Sequence, residues 1–204
     1  PHHSRDSPPP AQPAGDTMHA SKLTLMLAAV AVVGALPLPA QQRRISPHET
    51  ISTVIGDRHT GGRITITYGR PYTKDPMTGE PRKIWGGLVP FGKVWRLGAD
   101  EATLLVTQRP LVIGATTIPA GAYTLYFIPA ESGPSKLAFS TSIGKWGIPV
   151  DEAHDVARVD AQNEALEKPV NQLTLAIDNN PSGGGVLKIM WENTQFSVAF
   201  TVPK

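Results

Sequence analysis

The sequence predicts an all-β protein, an antiparallel β-sandwich of jelly-roll type built from about ten short strands with little helix; a closed β-barrel is the alternative that strand count leaves open. Three observations carry this expectation. Short runs of β-branched and aromatic residues recur from Ile51 to Val202, clusters of Gly, Pro and Asn separate them, and no stretch carries a helical heptad or an internal repeat.

Taken in order, residues 51–55 and 64–68 alternate with period two around Gly61-Gly62 and read as a hairpin. Residues 69–87 carry four glycines, three prolines and a scatter of charges, a long excursion of the kind that is commonly functional or mobile. Residues 102–107 and 111–113 read as short strands broken by Arg109-Pro110. A Pro119-Ala120-Gly121 turn precedes an apolar and aromatic strand that Pro129 closes, and residues 136–140 form the next. Lys145-Trp146-Gly147 sits in a loop, and 154–159 is a short strand or extended edge. Residues 173–178, 186–191 and 196–202 finish the chain, joined at 179–185 and at Glu192-Asn193-Thr194 by hairpin turns. Only 150–155 and 160–167 offer a turn or two of helix.

The N-terminal fifth has a different character. Residues 1–17 contain almost nothing to bury and are expected to be a disordered leader outside the translated protein. Residues 18–40 have the form of a secretory signal peptide: His19 and Lys22, an apolar run from Leu23 to Leu36 shorter than the ~18 residues a spanning helix needs, and Ala40 at the expected cleavage point. The expected product is a secreted or periplasmic protein with a single domain over 41–204. Losing residues 1–40 removes Arg5 and Lys22 with Asp6 and Asp16, so the net charge stays +2. The charges are dispersed, which argues against nucleic acid as a partner, and Arg43-Arg44 is too small a basic cluster for stable membrane attachment once the signal is cleaved. With no cysteine, disulfides, thiol catalysis and thiolate metal sites are excluded, and the core must hold the fold.

The stretch from Lys93 to Thr103 concentrates the chemistry. Trp95 brings a large apolar ring with one N–H, Arg96 a permanent charge with five donors, and Asp100-Glu101 two adjacent acids. One reading is a partly buried ion-pair network that pins the following strand. The other is a polar pocket formed by Arg70, Trp95, Arg96, Asp100 and Glu101. His48, His59 and His154 lack the spacing that puts two imidazoles on one face, so no metal and no cofactor is expected. Were a mixed nitrogen and oxygen site to form, His48-Glu49 beside Asp100-Glu101 would supply it. Glu101 is the residue assigned any acid-base role, with Asp100 or Glu192 as its partner. No Gly-x-Ser-x-Gly elbow occurs, and Gly183-Gly184-Gly185 is explained by a turn. The four tryptophans and the tyrosines are expected in the core and its rim ahead of a sugar or peptide platform.

Tyr68-Gly69-Arg70-Pro71, Lys83-Ile84-Trp85-Gly86 with Leu88-Val89-Pro90, Lys93 to Thr103, and Pro119-Ala120-Gly121-Ala122-Tyr123 through Ile128-Pro129 together resemble the bacterial family catalogued as domain of unknown function 2911, as do Trp146-Gly147 and Trp191-Glu192. The resemblance runs from about Ile45 to the C-terminus. It implies an exported bacterial protein with a β-rich domain, and it implies no activity. Where the family pattern reads Gly-Ala-Asn-Glu-Ala-Thr, this chain has Asp100, and its 74–82 segment is longer. The functional expectation is a non-enzymatic binding or envelope-associated domain for a small polar ligand, glycan or protein. The alternative is a hydrolase-like enzyme using acidic residues, with or without a metal.

Overall fold

The computed structural model describes residues 44–56, 61–180 and 183–203. The segments expected to be a leader and a signal peptide, and His59, lie outside the described residues. From Arg44 onward the chain gathers into one compact unit.

Among the described residues nine strands form one antiparallel sheet: β1 (His48–Ile55), β2 (Gly62–Gly69), β3 (Thr103–Thr107), β4 (Leu111–Ile113), β5 (Thr116–Ile118), β6 (Gly121–Ile128), β7 (Ser135–Ser140), β8 (Asp155–Asn180) and β9 (Gly184–Thr201). Their spatial order is β1-β2-β3-β6-β7-β8-β9-β4-β5, and the end strands β1 and β5 do not pair, so no barrel closes. The all-β class follows from the alternation noted above. In β2, for example, Ile64, Ile66 and Tyr68 are buried on one face while Arg63 is exposed on the other.

The sheet is folded over. Ile64, Ile66, Leu105 and Phe139 of its first half meet Leu111, Leu187, Val198 and Phe200 of its second around an apolar gap of about 10 Å³, and all belong to one buried cluster. The hinge is β8, which pairs with β7 over Asp155 to Ala161 and with β9 from Gln162 onward. Its register shifts between Ala165, Val170 and Thr174. Pro169, which has no N–H to give a ladder, lies in that interruption, where the sheet can accept it.

Two expectations change here. Residues 160–167 are strand, not helix: Ala-Leu-Glu-Lys has helical propensity, but pairing of residues 160–161 to β7 and of 162–165 to β9 overrides it. Glu192-Asn193-Thr194 is a bend inside β9, not a hairpin. Glu192 takes a left-handed φ of 55° opposite Val170, and the ladder resumes at Thr194 with Ala165. The last three expected strands are therefore parts of two long ones. The 150–155 segment contributes only a 3₁₀ turn over Glu152–His154.

The excursion between β2 and β3 spans residues 70–102 and is stitched down. Leu173 N–H donates to the Pro71 carbonyl at 2.9 Å, Thr73 N–H to the Asn171 carbonyl at 2.8 Å, and Trp95 exchanges two backbone bonds with Phe127 at 2.8 and 2.7 Å. Ile84, Val89 and Leu97 are fully buried, so the later part of the excursion has apolar anchors as well.

Candidate functional site

Trp95 is positioned from below by β6, through its backbone pair with Phe127, and from the side by β9. Its ring stacks on that of fully buried Trp191 at 5.7 Å and 18°. Trp85 meets both edge-on, at 5.9 and 6.2 Å, and packs on Phe196 at 5.0 Å. These edge-to-face and offset geometries suit aromatic quadrupoles. Three of the four tryptophans thus form the rim of the core, and Trp146 stands exposed on the 141–151 loop.

The chain then turns sharply. Leu97 and Asp100 adopt left-handed φ of 54° and 63°. Asp and Asn tolerate that conformation better than most residues, which gives a physical reason for one or the other at position 100. Thr103 Oγ1 donates to the Leu97 carbonyl at 2.8 Å and Ala99 N–H to the Gly69 carbonyl at 3.3 Å, fixing the turn against β2. Gly69 has no alternative here, because a Cβ would overlap the Ala99 carbonyl.

Arg96 does not join the expected ion-pair network. Its Nη1 donates to the Asp100 carbonyl at 2.6 Å and, more weakly, to the Trp146 carbonyl at 3.5 Å, and its guanidinium lies 5.6 Å from the Trp146 ring. Burial lowers its pKa, and the nearby charges of Asp100 and Glu101 act the other way. The network forms elsewhere. Glu101 is paired with Arg44, and His48 Nε2 stands 3.3 Å from carboxylate oxygens of both Asp100 and Glu101. Burial works against the Glu101 charge, but its own backbone N–H, Arg44 and His48 outweigh it and hold the carboxyl below its ordinary range. Glu49 is drawn away, accepting from Tyr68 Oη at 2.6 Å and lying 3.3 Å from Arg70. Among the described residues no group of three or more His, Asp and Glu is arranged to hold a metal ion.

Above the tryptophans opens a cleft of about 710 Å³, inside the range of about 300 to 1,000 Å³ common for ligand pockets. Trp95, Arg96 and Asp100 line it together; Arg70 and Glu101 are not part of its lining. Arg70 instead ties β2 to β8, donating to the Leu173 carbonyl at 3.0 Å and to Thr174 Oγ1 at 2.9 Å. The Glu101 carboxylate is engaged by Arg44.

A family model for proteins of unknown function, DUF2911, matches residues 46–200. The chain belongs to the DUF2911 family. No curated protein and no solved structure matches it. The family segment takes in all of β1 to β8, most of β9, and every lining residue of the cleft except Ile45. Sequence reading missed most of that lining. Tyr72, Arg82 and Leu88 come from the excursion, and Ile148 from the 141–151 loop. The signal that was available is bulky apolar residues within Pro- and Gly-rich segments. Tyr72, Leu88, Val94, Ile148 and Ile45 are all exposed, and all face this one concavity.

Proposed function

We propose that this member of the DUF2911 family is an exported, non-enzymatic binding domain whose cleft receives a small ligand, with Arg96 and Asp100 at its polar boundary and Trp95 on its floor. One observation carries the reading: five exposed, bulky apolar side chains converge on a single cleft of about 710 Å³. Apolar exposure gathered in a concavity marks a place for a ligand or partner, whereas scattered surface leucines and valines need no explanation. Export rests on the signal-like segment 18–40.

A second reading, a hydrolase using Glu101, draws on His48 lying 3.3 Å from Asp100 and Glu101. An imidazole between two carboxylates can serve as a base. Against it, Arg44 engages Glu101 directly, which favours a structural ion cluster. Thermal stabilisation across a panel of fatty acids, sugars and peptides, with metal analysis of the same sample, separates the two. Binding predicts a stabilising compound and no stoichiometric metal; the enzyme reading predicts a metal that is lost in Glu101→Gln. N-terminal sequencing of protein recovered from the periplasm or medium should begin near Gln41, and a soluble cytoplasmic chain still carrying Met18 would end the export proposal.

A further inference from the structure

We propose that the cleft, taken as the ligand site of the binding reading, selects an amphipathic anion: a molecule with an apolar body and a carboxylate or similar oxyanion at one end. The state of the charges around the cleft is the basis. Of its two acids, Asp100 lies against His48 and Glu152 is paired with Arg158. Its two arginines, Arg82 and Arg96, have no carboxylate at ion-pair distance among the described residues, and their hydrogen bonds go to backbone carbonyls alone. Arg82 Nη2 donates to the Tyr72 carbonyl, while its Nε is buried and has no hydrogen-bond partner.

A guanidinium carries five N–H donors in a planar fork suited to an oxyanion. Several donors on Arg82 and Arg96 therefore have no acceptor on the protein among the described residues. A ligand oxyanion would supply an acceptor to the Arg82 guanidinium, which lines the cleft and whose Nε is the kind of buried donor that is costly to leave alone. A cationic ligand would meet two arginines that no carboxylate pairs directly. A wholly polar one, such as a free sugar, would leave Tyr72, Leu88, Val94 and Ile148 without an apolar counterpart.

The test uses decanoate, decanol, decyltrimethylammonium and maltotriose, each below any micellar concentration, titrated into the purified protein and followed by tryptophan fluorescence and calorimetry. Decanoate is expected to bind about tenfold or more tightly than decanol, as a charge-assisted hydrogen bond would give. The ammonium compound should bind least. In Arg82→Gln and Arg96→Gln the preference for decanoate over decanol should shrink toward unity in at least one variant, with decanol binding retained. Leu88→Asp, at an exposed position, should weaken both decyl ligands. Equal binding of decanoate and decanol by the wild type, lost in Leu88→Asp, would keep the cleft as a ligand site and overturn the anion selectivity. A preference for decanoate that survives both arginine substitutions would remove the two arginines as its source, and preferential binding of maltotriose would overturn the amphipathic class. Decyl binding that is absent, or indifferent to Leu88→Asp, would count against the cleft reading itself. The wild-type panel stands without the variants, so a variant that fails to fold leaves the proposal open to refutation.

Discussion

Arg96 lies with one N–H on the Asp100 carbonyl at 2.6 Å and its plane 5.6 Å from the Trp146 ring, so its interactions are a charged hydrogen bond and a partly exposed cation–π contact. Arg96→Lys keeps the charge but not the plane, and should lose about 1 kcal/mol in urea denaturation. Arg96→Ala should lose about 1 to 2 kcal/mol. A loss nearer 4 kcal/mol for the alanine variant would mean that a desolvated carboxylate had been left unpaired, contrary to the observed geometry. Tyr68 is held more deeply. Its hydroxyl donates to Glu49 at 2.6 Å and accepts from the Leu175 N–H at 2.9 Å. Tyr68→Phe orphans the Leu175 N–H and leaves Glu49 to Arg70 alone, and should cost about 1 to 3 kcal/mol. Burial first, then the bond to Glu49, raises the Tyr68 pKa well above its ordinary value, and burial and Asp155 do the same to Tyr126. The folded chain thus holds these protons more tightly than the unfolded one. The stability they contribute is complete below the unfolded value of about 10 and is lost as pH climbs from there toward the raised folded values. Denaturation midpoints should fall above about pH 10, and less steeply in Tyr68→Phe; a midpoint flat to pH 11.5 would contradict the burial of both hydroxyls.

At the scale of elements, the turn over residues 97–101 and the end of β2 act as one unit. Gly69 lets the Ala99 carbonyl approach where any side chain would collide.

 Ala99 and Gly69 also share the 3.3 Å backbone bond that seats the turn. Gly69→Ala must therefore displace the turn that carries Arg96 and Asp100. We expect a loss of about 2 kcal/mol or more, together with weaker ligand binding at the cleft. Gly79, whose added Cβ would meet nothing within 4 Å although its φ is 78°, is the matched control. Gly79→Ala should cost only the strain of a left-handed alanine, about 1 kcal/mol, and leave binding unchanged. Equal effects of the two substitutions on binding would show that the turn does not shape the cleft. The excursion itself behaves as a wall of the site. Its backbone bonds to β8 and its buried Ile84, Val89 and Leu97 hold Tyr72, Arg82 and Leu88 where the cleft needs them.

For the whole molecule, the decisive feature is that one strand serves both halves of the folded sheet. β8 pairs with β7 at its start and β9 thereafter, and the buried cluster draws on both halves, so neither half has a core of its own. Unfolding should be a single cooperative event. Circular dichroism, which follows the strands, and fluorescence, which follows the tryptophan cluster, should give coincident denaturant transitions. Two separated transitions would show that the halves are independent, and would also place the tryptophan cluster in one of them.

The sequence by itself determined the class of the fold, the first hairpin, the strand after Pro119-Ala120-Gly121 and the importance of the segment from Lys93 to Thr103. Each of these depends on local physics: period-two burial, turn residues and the placing of bulky side chains among them. Tertiary structure decided which residues share a site. Arg96 and Asp100 were close in the chain and stayed together on the cleft, but Arg70 was drawn to β8 and Glu101 to Arg44, partners far away in sequence. Tyr72, Arg82, Leu88 and Ile148 met only because two loops fold over the same face. The long β8 and β9 were likewise hidden, since helical propensity at 160–167 and a turn signal at Glu192 are each worth about 1 kcal/mol or less per residue, and pairing along a whole strand outweighs them.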